Sequence, residues 1–334
     1  MRALTGVLLL IAVAAAAPSD SLNVLFIGNS HTYVNDLPAM VESLAAAGGR
    51  TIETDQSVVG GYSLREHLVY DETLRKIALG GWNWVVLQEQ SQIPSIAYWR
   101  DSAMYPASRS LDSLIRQAGG RTMFYMTWGW KNGGVQTYQG YSSPDFRDYF
   151  EMQESVTVAY GRIADELGAP MAPVGWAWYR ARRMDSLIDL WQADSCHATV
   201  KGTYLGACVF YARLFEADPT GLGYTAGLAA EDARFLQEIA WQTVNSVEEQ
   251  RPSAAPGTLR TWPNPFRAGL TVSLPTRPGR VSITDASGRV VRDLGSATSL
   301  LSWDGRDQIG RMVRAGVYFV RVAGARSSPV VFLP

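Results

Sequence analysis

Asn23-Val24-Leu25-Phe26-Ile27-Gly28-Asn29-Ser30-His31-Thr32 is the segment from which the architecture can be read. Asn23 to Ile27 is a short apolar run of the length and type of a buried strand. It stops at Gly28, and after a few polar residues Leu37, Met40, Val41 and Leu44 repeat at the spacing of one apolar helix face. Ser30 therefore falls in a tight turn between a first strand and a first helix. Such a corner sets a side chain at the carboxyl edge of a parallel sheet, where α/β proteins hold their ligands. It also aims backbone N–H groups at whatever binds there.

The same grammar repeats down the chain. Thr51 to Val59 reads as a second strand ending at Gly60-Gly61, and Ser63 to Ala78 has helical spacing. Trp82 to Leu87 and Arg121 to Met126 read as further strands, with a helix over Ser102 to Ala118 between them. Phe146 to Leu167 reads as a long amphipathic helix, and Pro170 to Val174 as a fifth strand despite its prolines. Helices over Lys201 to Glu216 and Glu231 to Glu248 follow. Strands alternating with helices imply a mainly parallel five-stranded sheet covered on both faces, an α/β protein of three layers.

The 334 residues are enough for two domains, and a composition 47% hydrophobic and 18% charged with net charge -1 belongs to a folded chain. That balance gives no electrostatic case for nucleic acid. Residues 1–17 read as a secretory signal: Arg2, an apolar run from Val7 to Val13, then small residues Ala14 to Ala17. The run is too short to span a bilayer comfortably, so no stable membrane span is expected after cleavage. The expected location is extracellular or cell-surface, with the periplasm as the alternative. Export permits a disulfide between Cys196 and Cys208, although Cys208 sits in an apolar helical stretch and reads as core. The three histidines, His31, His67 and His197, have no metal-ligand spacing. No metal and no cofactor are expected.

Taken alone, a serine at a strand-to-helix corner reads simply as a helix cap. Asp194-Ser195-Cys196-His197 gives it a second reading, because a serine nucleophile needs a base and the base needs an orienting acid. Together the two segments resemble the SGNH (GDSL-like) hydrolase family, in which the nucleophile follows the first strand and an Asp-x-x-His block closes the triad. The resemblance implies a flavodoxin-like sheet, with Ser30 as nucleophile, His197 as general base and then acid, and Asp194 as its orienting partner. His31 and His67 are the rival bases. His31 adjoins Ser30, and adjacent side chains point apart; His67 lies in an amphipathic helix. The oxyanion needs two or three donors. The backbone N–H of Ser30 is one, and the second block of the family points to Gly61. Where the family commonly has Gly-x-Asn-Asp after the third strand, this chain has Leu87-Gln-Glu-Gln-Ser91. A glutamine amide can donate the same bond. Some carbohydrate O-acetylesterases of the superfamily carry Gln-Gly-Glu there, which favours Gln88, with Gln90 as its rival. Gly28-Asn-Ser30, Leu87-Gln-Glu-Gln-Ser91 and His197-x-x-x-x-Gly202-x-Tyr204 together resemble a poorly characterised bacterial branch, over roughly residues 22–215.

Beyond a Pro-containing linker at 249–258 the pattern becomes all-β. Leu270 to Leu274, Arg280 to Thr284, Val290 to Leu294 and Val317 to Val322 are short alternating runs separated by turn residues. Residues 259–334 are expected to form a small Ig-like sandwich. Trp262-Pro-Asn-Pro-Phe266, Asp285-Ala-Ser-Gly-Arg289, Trp303-Asp-Gly-Arg306 and Gly316-Val-Tyr-Phe-Val320 resemble the C-terminal sorting domains of the type IX secretion system and related hook-capping Ig-like domains. Those domains often end in a basic tail, whereas this chain ends Val330-Val-Phe-Leu-Pro334. An accessory β-module is the other reading, and secretion machinery is the expected partner of the first. Trp128, Trp130 and Tyr138 follow the fourth strand at the same sheet edge as Ser30 and are candidate substrate-binding aromatics. The functional expectation is an exported serine esterase, removing O-acetyl groups from carbohydrate, acting over residues 18–248. Its alternatives are a short-chain lipase or thioesterase, and a non-catalytic carbohydrate-binding protein on the same scaffold.

Overall fold

The computed structural model describes residues 21–249 and, toward the C-terminus, 260–262, 266–267, 269–273, 279–285, 287–297, 300–322 and 328–333. The expected export signal and, apart from residue 249, the linker lie outside the described residues.

Strand β1 (Ser21–Gly28) leads into the one-turn helix α1 (Ser30–Tyr33) and then α2 (Leu37–Ala47). Next come β2 (Thr51–Val58), α3 (Leu64–His67), α4 (Asp71–Leu79) and β3 (Trp84–Leu87). Short turns that include α5 (Ala97–Trp99) lead into α6 (Tyr105–Gln117) and β4 (Thr122–Tyr125). A hairpin of β5 (Gly134–Tyr138) and β6 (Tyr141–Phe146) precedes α7 (Tyr149–Leu167), β7 (Met171–Ala172), α8 (Val174–Met184), α9 (Val200–Phe215) and α10 (Ala230–Glu249).

The sheet runs β2-β1-β3-β4-β7, and every pair is parallel. Strand side chains alternate between faces, so Val24 and Phe26 pack with α2, α8, α9 and α10, while Leu25 and Ile27 pack with α4, α6 and α7. This is the expected three-layer α/β/α fold. All five strands point their carboxyl ends to one edge, and the loops after β1, β2, β3 and β4 gather there.

Three local expectations differ. The helix read over Ser63 to Ala78 is two helices, because α3 closes after one turn and α4 restarts at Asp71. The long helix starts at Tyr149 on an Asp148 N-cap rather than at Phe146, which ends the hairpin. Helix α8 did not figure among the expected elements, although Val174, Ala177, Trp178 and Ala181 carry its buried stripe at helical spacing.

The C-terminal part is antiparallel. It comprises β8 (Arg260–Trp262), β9 (Leu270–Ser273), β10 (Gly279–Asp285), β11 (Val290–Ala297), β12 (Leu300–Trp303), β13 (Gly316–Val322) and β14 (Ser328–Phe332). They form sheets β11-β10-β13-β14 and β12-β9-β8 around a shared apolar cluster that includes Phe266, Val281, Trp303 and Phe332.

Candidate active site

Ser30 is the first residue of α1, and Asn29 caps that helix by accepting the His31 N–H at 3.1 Å. The Asp194–His197 segment lies in the loop between α8 and α9. Ser195 O accepts the Lys131 N–H at 3.0 Å, and Cys196 O accepts the Trp128 indole N–H at 2.8 Å. The loop is tight enough to hold Ser195 at φ 63°, a left-handed conformation uncommon for a non-glycine residue. Beyond it, Gly202 lies against the ring of Trp178, where a Cβ would collide. The Tyr204 hydroxyl donates to Tyr224 O at 2.6 Å and accepts from Gln237 at 2.8 Å. The His-to-Tyr motif thus anchors the start of α9.

These anchors bring three expected residues into line. Ser30 Oγ is 2.8 Å from His197 Nε2, and His197 Nδ1 is 2.5 Å from Asp194 Oδ2. Asp194 Oδ1 also accepts the N–H groups of Cys196 and His197, both at 2.9 Å. Partial burial works against the charge of Asp194, but the bond from His197 and the two backbone donors outweigh it and hold the carboxyl at about 2. An ionised Asp194 can only accept, so the proton sits on Nδ1 and the Nε2 lone pair faces the serine hydroxyl.

A cavity of about 330 Å³ opens at this point, lined by Asn29, Ser30, His31, Gly61, Gln90, Ser91, Trp130, Asp194, Cys196 and His197. Gly61, at φ 76°, follows β2. Gln90 follows β3; its Oε1 accepts the N–H groups of Gln92 at 2.8 Å and Ile93 at 3.2 Å, and its Nε2 donates to Gln92 Oε1 at 3.2 Å. An amide nitrogen carries two hydrogens, so Gln90 keeps one donor beyond that bond.

The structure corrects three expectations. Gln88 is fully buried, and its Nε2 donates to Asn29 Oδ1 at 3.0 Å and to Glu89 O at 2.6 Å. Both donors are used beneath the serine turn, and the residue does not line the cavity. Trp128 is also buried: it stacks on Trp178 at 4.0 Å between ring centres, so it packs the protein rather than a ligand. Tyr138 does not line the cavity; it meets Trp99 edge-on, and its carbonyl accepts the Trp99 indole N–H at 2.8 Å. Trp130 alone of the three aromatics reaches the cavity wall, its indole N–H directed at Ser91 Oγ, 3.3 Å away.

The rival histidines have other partners. His67 bridges the Gly28 carbonyl at 2.9 Å and Thr73 Oγ1 at 2.7 Å, which braces the end of β1. His31 is buried against Trp128, with Nε2 3.9 Å from Cys196 Sγ. Burial and the neighbouring His197 take it down to about 3, with Asp194 opposing. Cys196 and Cys208 are both free and buried. Burial pushes the Cys196 thiol up to about 11, which leaves little thiolate to compete with Ser30 as a nucleophile. Asn29, Ser91 and Glu89 are residues of this region to which the sequence assigns no role, and Cys196 figures there only as a possible disulfide partner of Cys208. The Gly-Asn-Ser and Gln-Glu-Gln-Ser motifs were the available signal.

No family model and no curated protein matches the chain. Among solved structures it is similar to a Slackia heliotrinireducens protein assigned to the SGNH hydrolases, at 25% identity over 58% of this chain and 99% of that one, TM-score 0.47. It is similar to a DUF4886 family protein from Bacteroides uniformis at 19% identity over 68% of this chain and 96% of that one, TM-score 0.53. It is also similar to an acetylxylan esterase from Geobacillus stearothermophilus, at 16% identity over 59% and 95%, TM-score 0.44. The neighbours are thus largely SGNH-type hydrolases and esterases, and what the Bacteroides likeness establishes is the shared fold. No helix among the described residues is long and apolar enough to cross a membrane.

Proposed function

We propose that the protein is an exported serine esterase that removes short acyl groups, O-acetyl groups on carbohydrate in the first place, through an acyl-enzyme. The observation that carries this reading is the continuous hydrogen-bond chain Asp194–His197–Ser30 opening on a cavity. His197 Nε2 takes the Ser30 proton as Oγ attacks the ester carbonyl, and the carbonyl oxygen becomes an oxyanion. Asp194 holds the imidazole in the required tautomer and stabilises the imidazolium. The oxyanion is received by the N–H groups of Ser30 and Gly61 and by the side-chain amide of Gln90. His197 then protonates the leaving alcohol, and a water activated by the same nitrogen releases the acid.

The cavity volume and the Trp130 wall favour a small acyl group over a long chain. An aromatic side chain on the cavity wall also suits a sugar ring. Residues 259–334 are, in this reading, a sorting or accessory module of the exported protein, with secretion machinery as the partner of the sorting form. Turnover of p-nitrophenyl acetate and butyrate by the purified protein, beside Ser30→Ala and His197→Ala, tests the reading. Both variants should lose about 10⁴-fold or more in kcat. Turnover unchanged by either rejects the triad, and a preference for thioesters over oxygen esters moves the assignment to a thioesterase.

A further inference from the structure

Leu87-Gln-Glu-Gln-Ser91 gives each of its last four side chains a separate task. Gln88 grips the serine turn, Gln90 and Ser91 face the cavity, and Glu89 does neither. Its side chain is completely buried at the end of β3. Oε1 accepts the N–H of Gln90 at 2.7 Å and the N–H of Leu64 at 3.1 Å, while its own N–H donates to the Tyr160 hydroxyl at 3.0 Å.

The two bonds to Oε1 join two different loops. Leu64 is the first residue of α3, three positions after Gly61, and the intervening turn is fixed by the Ser63–Glu66 capping box. Gln90 carries the amide on the other side of the cavity. One oxygen atom therefore bridges directly the loop that carries Gly61 and the loop that carries Gln90. Burial pushes the Glu89 carboxyl up to about 8, with the Gln90 and Leu64 N–H groups opposing and Glu66 assisting. Burial thus disfavours a negative charge on Glu89, close to the place where the oxyanion would develop.

We propose that Glu89 is a positioning residue that clamps the two oxyanion loops together. The proposal rests on the esterase reading for its catalytic consequence, though not for the clamp itself. An electrostatic donor contributes fully only when fixed at the oxyanion before reaction, so loosening either loop lowers kcat more than it raises KM.

The test compares the full chain with Glu89→Gln, which keeps an acceptor at Oε1, and Glu89→Leu, which fills the space without one. Glu89→Ala replaces the leucine variant should that one fail to fold. Two readouts are taken: kcat and KM on p-nitrophenyl acetate, and amide hydrogen exchange over residues 60–64 and 89–92. Glu89→Leu should lose about 10–100-fold in kcat with KM within about twofold, and exchange faster at Leu64 and Gln90. Glu89→Gln should stay within about threefold in kcat and keep slow exchange. Wild-type kcat in the leucine variant, a kcat loss without faster exchange, or equal loss in both variants would overturn the proposal. If the wild-type chain turns over no ester, the esterase reading fails and exchange alone decides the clamp: faster exchange confined to the leucine variant upholds it, and unchanged exchange overturns it.

Discussion

Asn29 and Gln88 exchange two hydrogen bonds: the Asn29 N–H donates to Gln88 Oε1 at 2.8 Å, and Gln88 Nε2 returns one to Asn29 Oδ1 at 3.0 Å. Gln88 Oε1 also accepts from the Thr32 hydroxyl at 2.9 Å, and Asn29 Nδ2 donates to Tyr62 O at 2.8 Å. The pair ties the end of β1 to the end of β3 and to the loop that carries Gly61. A Cβ at Gly28 would run into Gln88 Oε1, so the glycine leaves room for this clasp.

Replacing Gln88 by Ala should therefore act on stability as well as rate. Both partners are buried, and the substitution leaves the Asn29 N–H without its acceptor and takes from Oδ1 one of its two donors, the His31 N–H remaining. A cost of about 2–4 kcal/mol in urea unfolding is expected, together with a fall in kcat as the Ser30 turn loosens. Unchanged unfolding midpoint and kcat would show that the clasp is dispensable.

Asp194→Asn tests the orienting role. The amide removes the carboxylate that fixes the proton on Nδ1 and can present its NH₂ to that nitrogen, favouring the wrong tautomer. On the general triad pattern kcat should drop by about 10⁴-fold with little change in the fold. Kinetics with p-nitrophenyl acetate beside a circular dichroism spectrum checks both halves. A loss under tenfold would mean His197 is oriented by something other than Asp194.

Much of this site could be read from the chain because its parts are local. Strand, glycine and serine follow one another at β1, and Asp194 and His197 sit within one turn of loop. The choice between Gln88 and Gln90 was not local. It depends on which oxygens surround each amide: one of the two that take the Gln88 donors is the adjacent Glu89 carbonyl, but the other belongs to Asn29, 59 residues away. The aromatics failed in a similar manner. Trp128 and Trp130 look alike in Thr127-Trp-Gly-Trp130, but Trp128 is claimed by Trp178 on α8, a helix absent from the expected elements. The hairpin before α7 went unread because its strands are short and one contains Pro144.

Gly61 offers a separable test of the second oxyanion donor. Its φ is 76°, and a Cβ there would meet no neighbouring atom within 4 Å, so Gly61→Ala meets backbone strain and no clash. The strain should cost about 1 kcal/mol in stability. If the N–H of Gly61 receives the oxyanion, kcat should fall by more than that small loss predicts, because relief of strain moves the N–H. A variant with lower melting temperature and wild-type kcat would remove Gly61 from the site.

Trp130 should govern acyl size. It walls the cavity beside Ser91 and Cys196, and trimming it to alanine opens that wall. The ratio of kcat/KM for butyrate to acetate esters should rise by about tenfold, the worth of one or two methylenes in an apolar pocket. A constant ratio would place the acyl group elsewhere in the cavity.

The last prediction concerns acid. His31 is held down to about 3 by burial and by the neighbouring His197, and His67 is lowered by burial with its Gly28 bond opposing. In the unfolded chain both titrate near 6.5. Between pH ~6.5 and ~3 the unfolded chain therefore binds protons that native His31 refuses, so stability rises with pH across that window. The contribution is complete above ~6.5 and is lost as pH falls toward ~3. Glu89, pushed up to about 8, works in the opposite direction from about pH 4.5 to 8, since its native form holds a proton the unfolded chain has released. Absolute stability thus mixes the two, and a difference between variants separates them. Urea midpoints of the wild type and His31→Gln, taken from pH 4 to 8, provide it. The difference should be constant above pH ~6.5 and move against the wild type by up to ~1.4 kcal/mol per pH unit as the medium becomes more acidic. A difference that stays flat throughout would mean that His31 accepts its proton in the native state as readily as in the unfolded one, and that its burial against Trp128 does not exclude the charge.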